Sequence, residues 1–267
     1  MEWKPVDSIK QLLKMVDEVS RDKRRMYTNF ICWQDVGNML FSGSVPLFSR
    51  QDDSLYIINR RNTINTLYYW STEIPRGQFK YHEEVVCEIL ERRGREQQQD
   101  MIKYLKESGF IEYAKYFEWK CADEKYKELW KIPLEYSDDP DINEAFRIYD
   151  IFDIYSDALP AKDLFAEYYK KLDSIFLMDK DRCAAFLFYD KKRCSVREEW
   201  LWVDKEYRMS GYAVWMLRKM INNCLENRDG NINHFSWINE NNKESVFLHS
   251  KIGMEKTLKY KTTLILR

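Results

Sequence analysis

Apolar positions recur along the first half of the chain in two periods, one typical of helices and one typical of strands. Ile9–Arg21 has apolar residues at helical spacing with charges between them, which predicts an amphipathic helix. Glu96–Phe110 predicts a second helix, which ends at Gly109. Short β-rich runs predict strands at Leu55–Ile58, Ile64–Trp70, Val85–Leu90 and Phe110–Trp119.

The second half alternates strands and helices in the same way. Helices are predicted at Ile142–Leu159, Leu164–Leu172, Tyr212–Glu226 and Lys243–Ile252, the last of them ended by Gly253. Strands are predicted at Ser174–Met178, Cys183–Tyr189, Cys194–Val203, Ile232–Ile238 and Glu255–Leu266. This mixture predicts an α/β (α+β) fold with a mixed central sheet flanked by helices.

An internal echo indicates two similar halves. A helix, a glycine and a strand follow one another around Gly109 and again around Gly253, at an offset of 144 residues (253 − 109). A fixed repeat predicts two tandem copies of one fold, at residues 1–130 and 131–267. Glycine is the usual residue after a helix, so such junctions also arise independently.

Composition excludes several classes of protein. With 45% hydrophobic and 33% charged residues, the chain is globular, and 8 glycines are too few for a glycine-rich dinucleotide site. A net charge of −1 argues against nucleic acid or a membrane as partner, although the basic runs Arg21–Arg25 and Leu90–Arg95 could form a local patch. Such runs are more often solvated surface.

The six cysteines and three histidines do not suggest a metal site. No two cysteines form a CxxC pair, and their spacing suits neither zinc nor a small disulfide framework. Free thiols fit a reducing compartment, and the N-terminus has no apolar core of a signal peptide. We therefore expect a cytoplasmic protein without a metal.

One stretch has the pattern of an anion site. The predicted strand that contains Glu198 and Glu199 ends at Val203, and a polar turn with Arg208 and Gly211 leads into the long helix. Unpaired N–H groups and the helix dipole attract a phosphate at such a junction. A strand, a turn and a helix with one glycine are more often a plain connection, so this pattern is weak by itself.

The order of the neighbouring motifs strengthens the interpretation of this stretch as an anion site. Residues Ile142–Arg267 resemble the GNAT superfamily of acyl-CoA N-acyltransferases, whose pyrophosphate loop reads Q/R-x-x-G-x-G/A. Arg208, Gly211 and Ala213 match that loop. A second family segment is matched by Asn242, Ser245, His249, Gly253 and Met254. The resemblance implies a tandem GNAT protein with a degenerate first copy and an acyl-CoA-binding second copy.

The resemblance also implies a co-substrate and an acceptor. It implies N-acetyl transfer from acetyl-CoA to a primary amine of a small molecule or peptide, with a backbone N–H near Val203 polarising the thioester carbonyl. The acceptor's identity, the acyl preference and the oligomeric state, a homodimer included, stay open. The residues implied to hold acetyl-CoA are Trp202, Val203, Arg208, Met209, Ser210, Gly211, Tyr212, Ala213 and Asn242.

Two residues are candidates for proton transfer. Glu198 has the spacing from Val203 of family members that use a glutamate as general base, and Glu199 points to the other face because strand side chains alternate. His249 stands where the family usually has a tyrosine as general acid, and an imidazole can donate a proton near neutral pH. Both could instead be ordinary residues, Glu198 a solvated strand residue and His249 a packed helix residue.

The first half lacks an Arg/Gln-x-x-Gly loop between its strands, so we expect it to be a scaffold and the chain to bind one acyl-CoA. Two other functions remain open. One is a non-catalytic protein that binds acyl-CoA, which the histidine and the single loop glycine keep open. The other is an aminoacyltransferase of related tandem fold, which the retained loop disfavours.

Overall fold

The computed structural model describes residues 1–20, 27–29, 45–60, 64–94, 98–138, 149–155, 172–226 and 230–267. The chain divides into two compact units. The first unit contains Met1–Lys115, Phe152–Phe165 and Lys259–Arg267, and the second contains Tyr116–Ile151 and Ala166–Leu258. These bounds differ from the predicted halves, because the last residues of the chain pair with a strand of the first unit.

The first unit contains an antiparallel sheet with one parallel pair. Its helices are α1 (Ile9–Ser20) and α2 (Gln99–Glu107). Its strands are β1 (Lys4–Pro5), β2 (Tyr27–Thr28), β3 (Leu47–Gln51), β4 (Ser54–Asn59), β5 (Asn65–Ser71) and β6 (Val85–Arg92). The sheet order is β1-β3-β4-β5-β6, and β2 is an additional partner of β5.

Strand β4 is buried along its whole length, which shows that both faces of this sheet are covered. Leu55 and Ile57 pack in the cluster of α1, and Tyr56 and Ile58 pack in the cluster of α2. The alternating apolar residues of β4 therefore serve two cores. Strand β7 (Ile111–Glu124) follows α2 and crosses from the first unit into the second.

The second unit also contains an antiparallel sheet with one parallel pair of strands. Its sheet order is β7-β12-β11-β10-β9-β8. The strands are β8 (Glu135–Ser137), β9 (Asp173–Asp179), β10 (Arg182–Lys192), β11 (Ser195–Val203) and β12 (Ile232–Asn239), and the helices are α3 (Tyr212–Leu225) and α4 (Lys243–Lys251). The last strand is β13 (Glu255–Leu266), and its residues Lys259–Leu266 pair with β6 in the first unit.

The core of the second unit lies beneath α3. Trp215, Met216 and Met220 of α3 pack against Leu177 of β9 and Leu187 of β10. The amphipathic pattern of Tyr212–Glu226 arises from this single buried face. Among the described residues, no helix is long and apolar enough to cross a membrane.

Most predicted elements are confirmed. Gly109 and Gly253 follow α2 and α4 with φ of 102° and 92°, the left-handed conformation that glycine adopts without strain. The prediction of a helix over Ile142–Leu159 is wrong at Asp150–Tyr155, which form turns and bends. There Asp153 Oδ1 accepts a hydrogen bond from Tyr155 N at 3.0 Å, and this local contact competes with the helix. Residues 142–148 and 156–159, the helix expected at 164–172 up to residue 171, and the basic run 21–25 lie outside the described residues.

Candidate functional site

The sheet of the second unit opens between two parallel strands. β11 and β12 pair only where Ser195–Arg197 face Asn233–Phe235. Beyond that point β11 continues to pair with β10 as far as Val203, and β12 continues to pair with β7 as far as Asn239. The two strands therefore separate after Arg197, and Glu198 is the first residue of β11 beyond the separation.

The loop after β11 is anchored at its beginning. Asp204 caps a short 3-10 turn, Lys205–Tyr207, by accepting a hydrogen bond from Glu206 N at 3.1 Å. Arg182 forms ion pairs with Asp204 at 2.8 Å and Glu206 at 2.7 Å. Asp204 N also donates to Ala184 O at 2.9 Å. These contacts fix the start of the loop to β10.

The end of the loop has the geometry of an anion cradle. Met209 and Gly211 have left-handed φ of 64° and 83°, and the Met209 side chain is 99% exposed. Gly211 is the N-cap of α3, so α3 begins without a side-chain cap and with no acidic residue in its first turn. The first N–H groups of α3 are thus available to a phosphate, which is the chemistry that a CoA pyrophosphate requires.

Arg208 links the loop to the second helix of the site. Its Nε donates to Val203 O at 3.2 Å, and its Nη1 lies 3.3 Å from a carboxylate oxygen of Glu244. Both side chains are exposed, so this ion pair contributes little and a phosphate can replace the carboxylate. Asn242 caps α4, since its Oδ1 accepts from Ser245 N at 3.0 Å.

The other residues predicted to hold the co-substrate lie around this loop. Trp202 stacks on Phe186, with ring centroids 5.5 Å apart, and Val203 is half-buried at the end of β11. Ser210 is exposed, Tyr212 is buried at the start of α3, and Ala213 is half-buried.

A β-bulge sets the direction of the side chains beyond the separation. Tyr189 of β10 pairs with Glu198 and Phe188 pairs with Trp200, so Glu199 is an extra residue in β11. Before the bulge Val196 packs beneath α3, and after it Leu201 and Val203 do so. The bulge therefore reverses the alternation and turns Trp200 and Trp202 to the other face.

Glu198 is buried in direct contact with His249. The His249 Nε2 atom lies 2.8 Å from Glu198 Oε2, and both side chains are almost fully buried. His249 Nδ1 lies 2.7 Å from the backbone oxygen of Ser245. A carbonyl oxygen only accepts, so Nδ1 carries a hydrogen, and one further proton is shared between Nε2 and the carboxylate.

The two groups shift each other's pKa in opposite directions. Burial raises the pKa of Glu198, but the charge of His249 and the neighbouring imidazole N–H groups outweigh burial and hold that pKa well below 4.5. Burial lowers the pKa of His249, but the charge and hydrogen bond of Glu198 and the Ser245 carbonyl raise it above 6.5. Both shifts favour the ion pair, an imidazolium beside a carboxylate.

His234 is a third member, and its sequence pattern did not predict a role at this site. Its Nε2 lies 3.6 Å from Glu198 Oε2, and its side chain is 1% exposed. The sequence signal was its position on β12, where it lies on the same buried face as Ile232 and Ser236. Glu199 does not join the cluster of Glu198, His249 and His234. It forms an ion pair with Arg197, and burial raises its pKa above 4.5.

The first unit has a similar separation, but its own chain fills it. β5 and β6 pair in parallel only at Asn65–Thr66 and Val85–Val86, and β2 pairs with β5 at Trp70 and Ser71. The buried side chain of Asn29 donates to Leu67 O at 2.7 Å and accepts from Tyr69 N at 2.9 Å.

Comparisons with known proteins give no family model and no curated protein that matches the chain. Solved structures do match. A Drosophila protein from a structural genomics consortium has a TM-score of 0.59 at 12% identity, with 99% of this chain and 98% of that chain covered. A tandem GNAT protein from the clavulanic acid biosynthesis pathway has a TM-score of 0.59 at 10% identity, with 99% and 97% covered.

A GCN5-related N-acetyltransferase from Sphaerobacter thermophilus has a TM-score of 0.57 at 10% identity, with 96% of this chain and 90% of that chain covered. At such identities the likeness concerns the fold. Because a tandem protein matches over nearly the whole chain, and both units contain the same separated pair of parallel strands, the chain has the tandem form of the GNAT fold.

Proposed function

We propose that this protein is an N-acetyltransferase that moves an acetyl group from acetyl-CoA to a primary amine of a small molecule or peptide. The observation that carries the proposal is the separation of β11 from β12 beside the uncapped N-terminus of α3. A thioester can lie in such an opening while its phosphates bind the adjacent helix terminus.

The loop residues have distinct roles in this proposal. The N–H groups at the start of α3 bind the pyrophosphate, and Gly211 allows the phosphate to approach the backbone. Arg208 exchanges its ion pair with Glu244 for a phosphate oxygen. Trp202, Val203 and Asn242 border the rest of the acetyl-CoA, which supplies an activated acetyl thioester.

The Glu198–His249 pair carries the proton transfer. The amine must lose one proton and the CoA sulfur must gain one. A pair that accepts a proton at Glu198 and releases one from His249 therefore ends with the same number of protons as it began. The 2.8 Å contact allows the pair to pass that proton internally. Because the pair is buried, a water molecule connects Glu198 to the amine.

One observation favours a second candidate, a non-catalytic protein that binds acyl-CoA. Both imidazole nitrogens of His249 are already engaged, and the residue is 1% exposed. If the ion pair only stabilises the fold, the loop still binds acyl-CoA but no acetyl group is transferred.

For either candidate, the filled separation in the first unit supports one acyl-CoA per chain, and the free thiols of the described cysteines support a cytoplasmic location.

Binding and turnover test the two candidates separately. Isothermal titration with acetyl-CoA should give one site, and Gly211→Ala should weaken binding at least tenfold, about 1.4 kcal/mol. Gly94→Ala is the matched control, because Gly94 has a similar φ of 79° with nothing within 4 Å of an added Cβ. The two positions have similar left-handed φ values, and an added Cβ at Gly211 meets only Trp130 at 3.4 Å, an ordinary contact. Equal affinity of the two variants would therefore contradict the proposed loop site.

Turnover is measured as release of the CoA thiol with panels of amines, amino acids, peptides, polyamines and aminoglycosides. Release that depends on one amine class identifies an acetyltransferase and its acceptor. Tight binding without release across the panels identifies the non-catalytic candidate.

A further inference from the structure

The environment of His234 is unusual for a buried histidine. Its strand β12 pairs with β11 at Val196 on one side and with β7 at Cys121 on the other. Among the described residues its Nε2 has no partner within hydrogen-bond distance. A buried polar nitrogen left unpaired costs about 1–3 kcal/mol, so this position calls for a physical reason.

Both histidines direct Nε2 at the same atom. Glu198 Oε2 lies 2.8 Å from His249 and 3.6 Å from His234. One carboxylate balances one imidazolium, and a second imidazolium would be an unpaired buried charge. His249 is in hydrogen-bond contact with the carboxylate and His234 lies just beyond that distance, so the ion pair is formed by Glu198 and His249.

In the part of the chain that the structure describes, only His249 and His234 form ion pairs with this oxygen. On β11, Arg197 pairs with Glu199, and on α4, Glu244 pairs with Arg208 and Lys251 lies over Phe247. Several charged residues of β7 and α3 have contacts elsewhere, namely Glu112 with Lys106, Lys115 with Tyr260, Glu118 with Thr257, Lys120 with Phe235, Glu124 with Lys127, Arg218 with Glu128 O and Lys219 with Tyr136.

We propose that His234 is a positioning residue, which donates its Nε2–H to the Glu198 carboxylate when His249 gives up its proton. A shift of a few tenths of an ångström brings Nε2 from 3.6 Å to hydrogen-bond distance. Without that donor, loss of the His249 proton would leave a buried carboxylate without a close partner. The catalytic meaning rests on the proposed function, but the contact itself does not.

The proposal predicts how His234 alters its neighbours. An N–H beside the carboxylate weakens the hold of Glu198 on the His249 proton, so removing that N–H should raise the pKa of His249 further. Glutamine and asparagine distinguish this effect from simple packing. The amide nitrogen of glutamine reaches the position of Nε2, whereas that of asparagine reaches only the position of Nδ1.

Imidazole nitrogen NMR can follow the effect directly, because the chain has only three histidines. The wild type, His234→Gln and His234→Asn are titrated from pH 5 to 9 without acetyl-CoA, and His82→Gln assigns the exposed ring. We expect the His249 midpoint above 6.5 in the wild type, within 0.3 units of that value in His234→Gln, and at least 0.5 units higher in His234→Asn.

Equal midpoints in the two variants, or a wild-type midpoint at or below 6.5, would overturn the proposal. Circular dichroism verifies that each variant is folded. If His234→Asn does not fold, the wild-type midpoint and His234→Gln still decide, since a glutamine shift beyond 0.5 units also contradicts the proposal. The titration uses no substrate, so it can succeed while acetyl-CoA binding fails, and the two failures are distinguishable.

Discussion

Removing the Glu198–His249 pair should expose a strong, pH-dependent coupling. His249→Phe leaves a buried carboxylate whose nearest remaining partner, His234 Nε2, is 3.6 Å away, and Glu198→Gln leaves a buried imidazole without its counter-charge. Breaking a buried pair from one side costs about 3–5 kcal/mol, whereas removing both members costs less because no uncompensated charge remains. We expect a coupling free energy of about 2–3 kcal/mol from the double-mutant cycle.

The pH dependence follows from the two pKa shifts. The pKa of Glu198 is lowered, so its contribution is fully present above its ordinary value of 4.5 and is lost as the pH falls through the folded-state value. The pKa of His249 is raised, so its contribution is fully present below 6.5 and is lost as the pH rises through the folded-state value. The coupling should therefore be largest between pH 4.5 and 6.5.

Urea denaturation of the wild type, both single variants and the double variant, repeated from pH 4 to 9, measures the cycle. The control is the exposed pair Lys103–Glu107 at 3.9 Å, for which we expect at most about 0.5 kcal/mol. A Glu198–His249 coupling as small as that of the control, or one that does not change between pH 5.5 and 9, would refute the ion pair.

Three further predictions concern the separation in the first unit and the Glu198–His249 pair of the second. Asn29→Ala should lower the stability of the protein by about 1–3 kcal/mol, because it leaves two backbone groups of β5 unpaired, and acetyl-CoA titration should still give one site; two sites would contradict the filled separation. With an identified acceptor, His249→Tyr should retain more kcat than His249→Phe because tyrosine keeps an acidic O–H, and equal rates would remove His249 from the proton transfer. Glu198→Gln should lower kcat by about 10²–10⁴ at neutral pH, with partial recovery as the pH rises and the amine deprotonates. A larger loss in Glu199→Gln would assign the base to the other face of β11.

The local elements could be predicted because their signals are local. The helix of Ile9–Ser20 follows from its apolar spacing, and the ends of α2 and α4 follow from Gly109 and Gly253. Around Asp153 the predicted helix is wrong, because the Asp153 side chain accepts a hydrogen bond from the backbone two residues later and so competes with the helix.

The arrangement of the candidate site could be predicted only in part. Glu198 and His249 were singled out, but as separate candidates for proton transfer rather than as one buried pair. They are 51 residues apart, and the bulge at Glu199, which shifts the faces of β11, has no sequence signal of its own. His234 was missed because a lone histidine on a strand acquires meaning only from the carboxylate that the fold places beside it.

In both units a strand separates from its parallel neighbour, and the two units differ in what then pairs with its backbone groups. A strand that leaves its parallel neighbour presents backbone groups that require partners. In the first unit β2 and the amide of Asn29 supply those partners to β5, and the amide bonds residues two apart just as a neighbouring strand would. In the second unit, no strand of the described residues pairs with β11 beyond Arg197 on the side of β12. In the proposed function the amides of an acyl-CoA chain occupy that place, so the unit with the proposed phosphate loop is also the unit in which this side of β11 has no strand partner among the described residues.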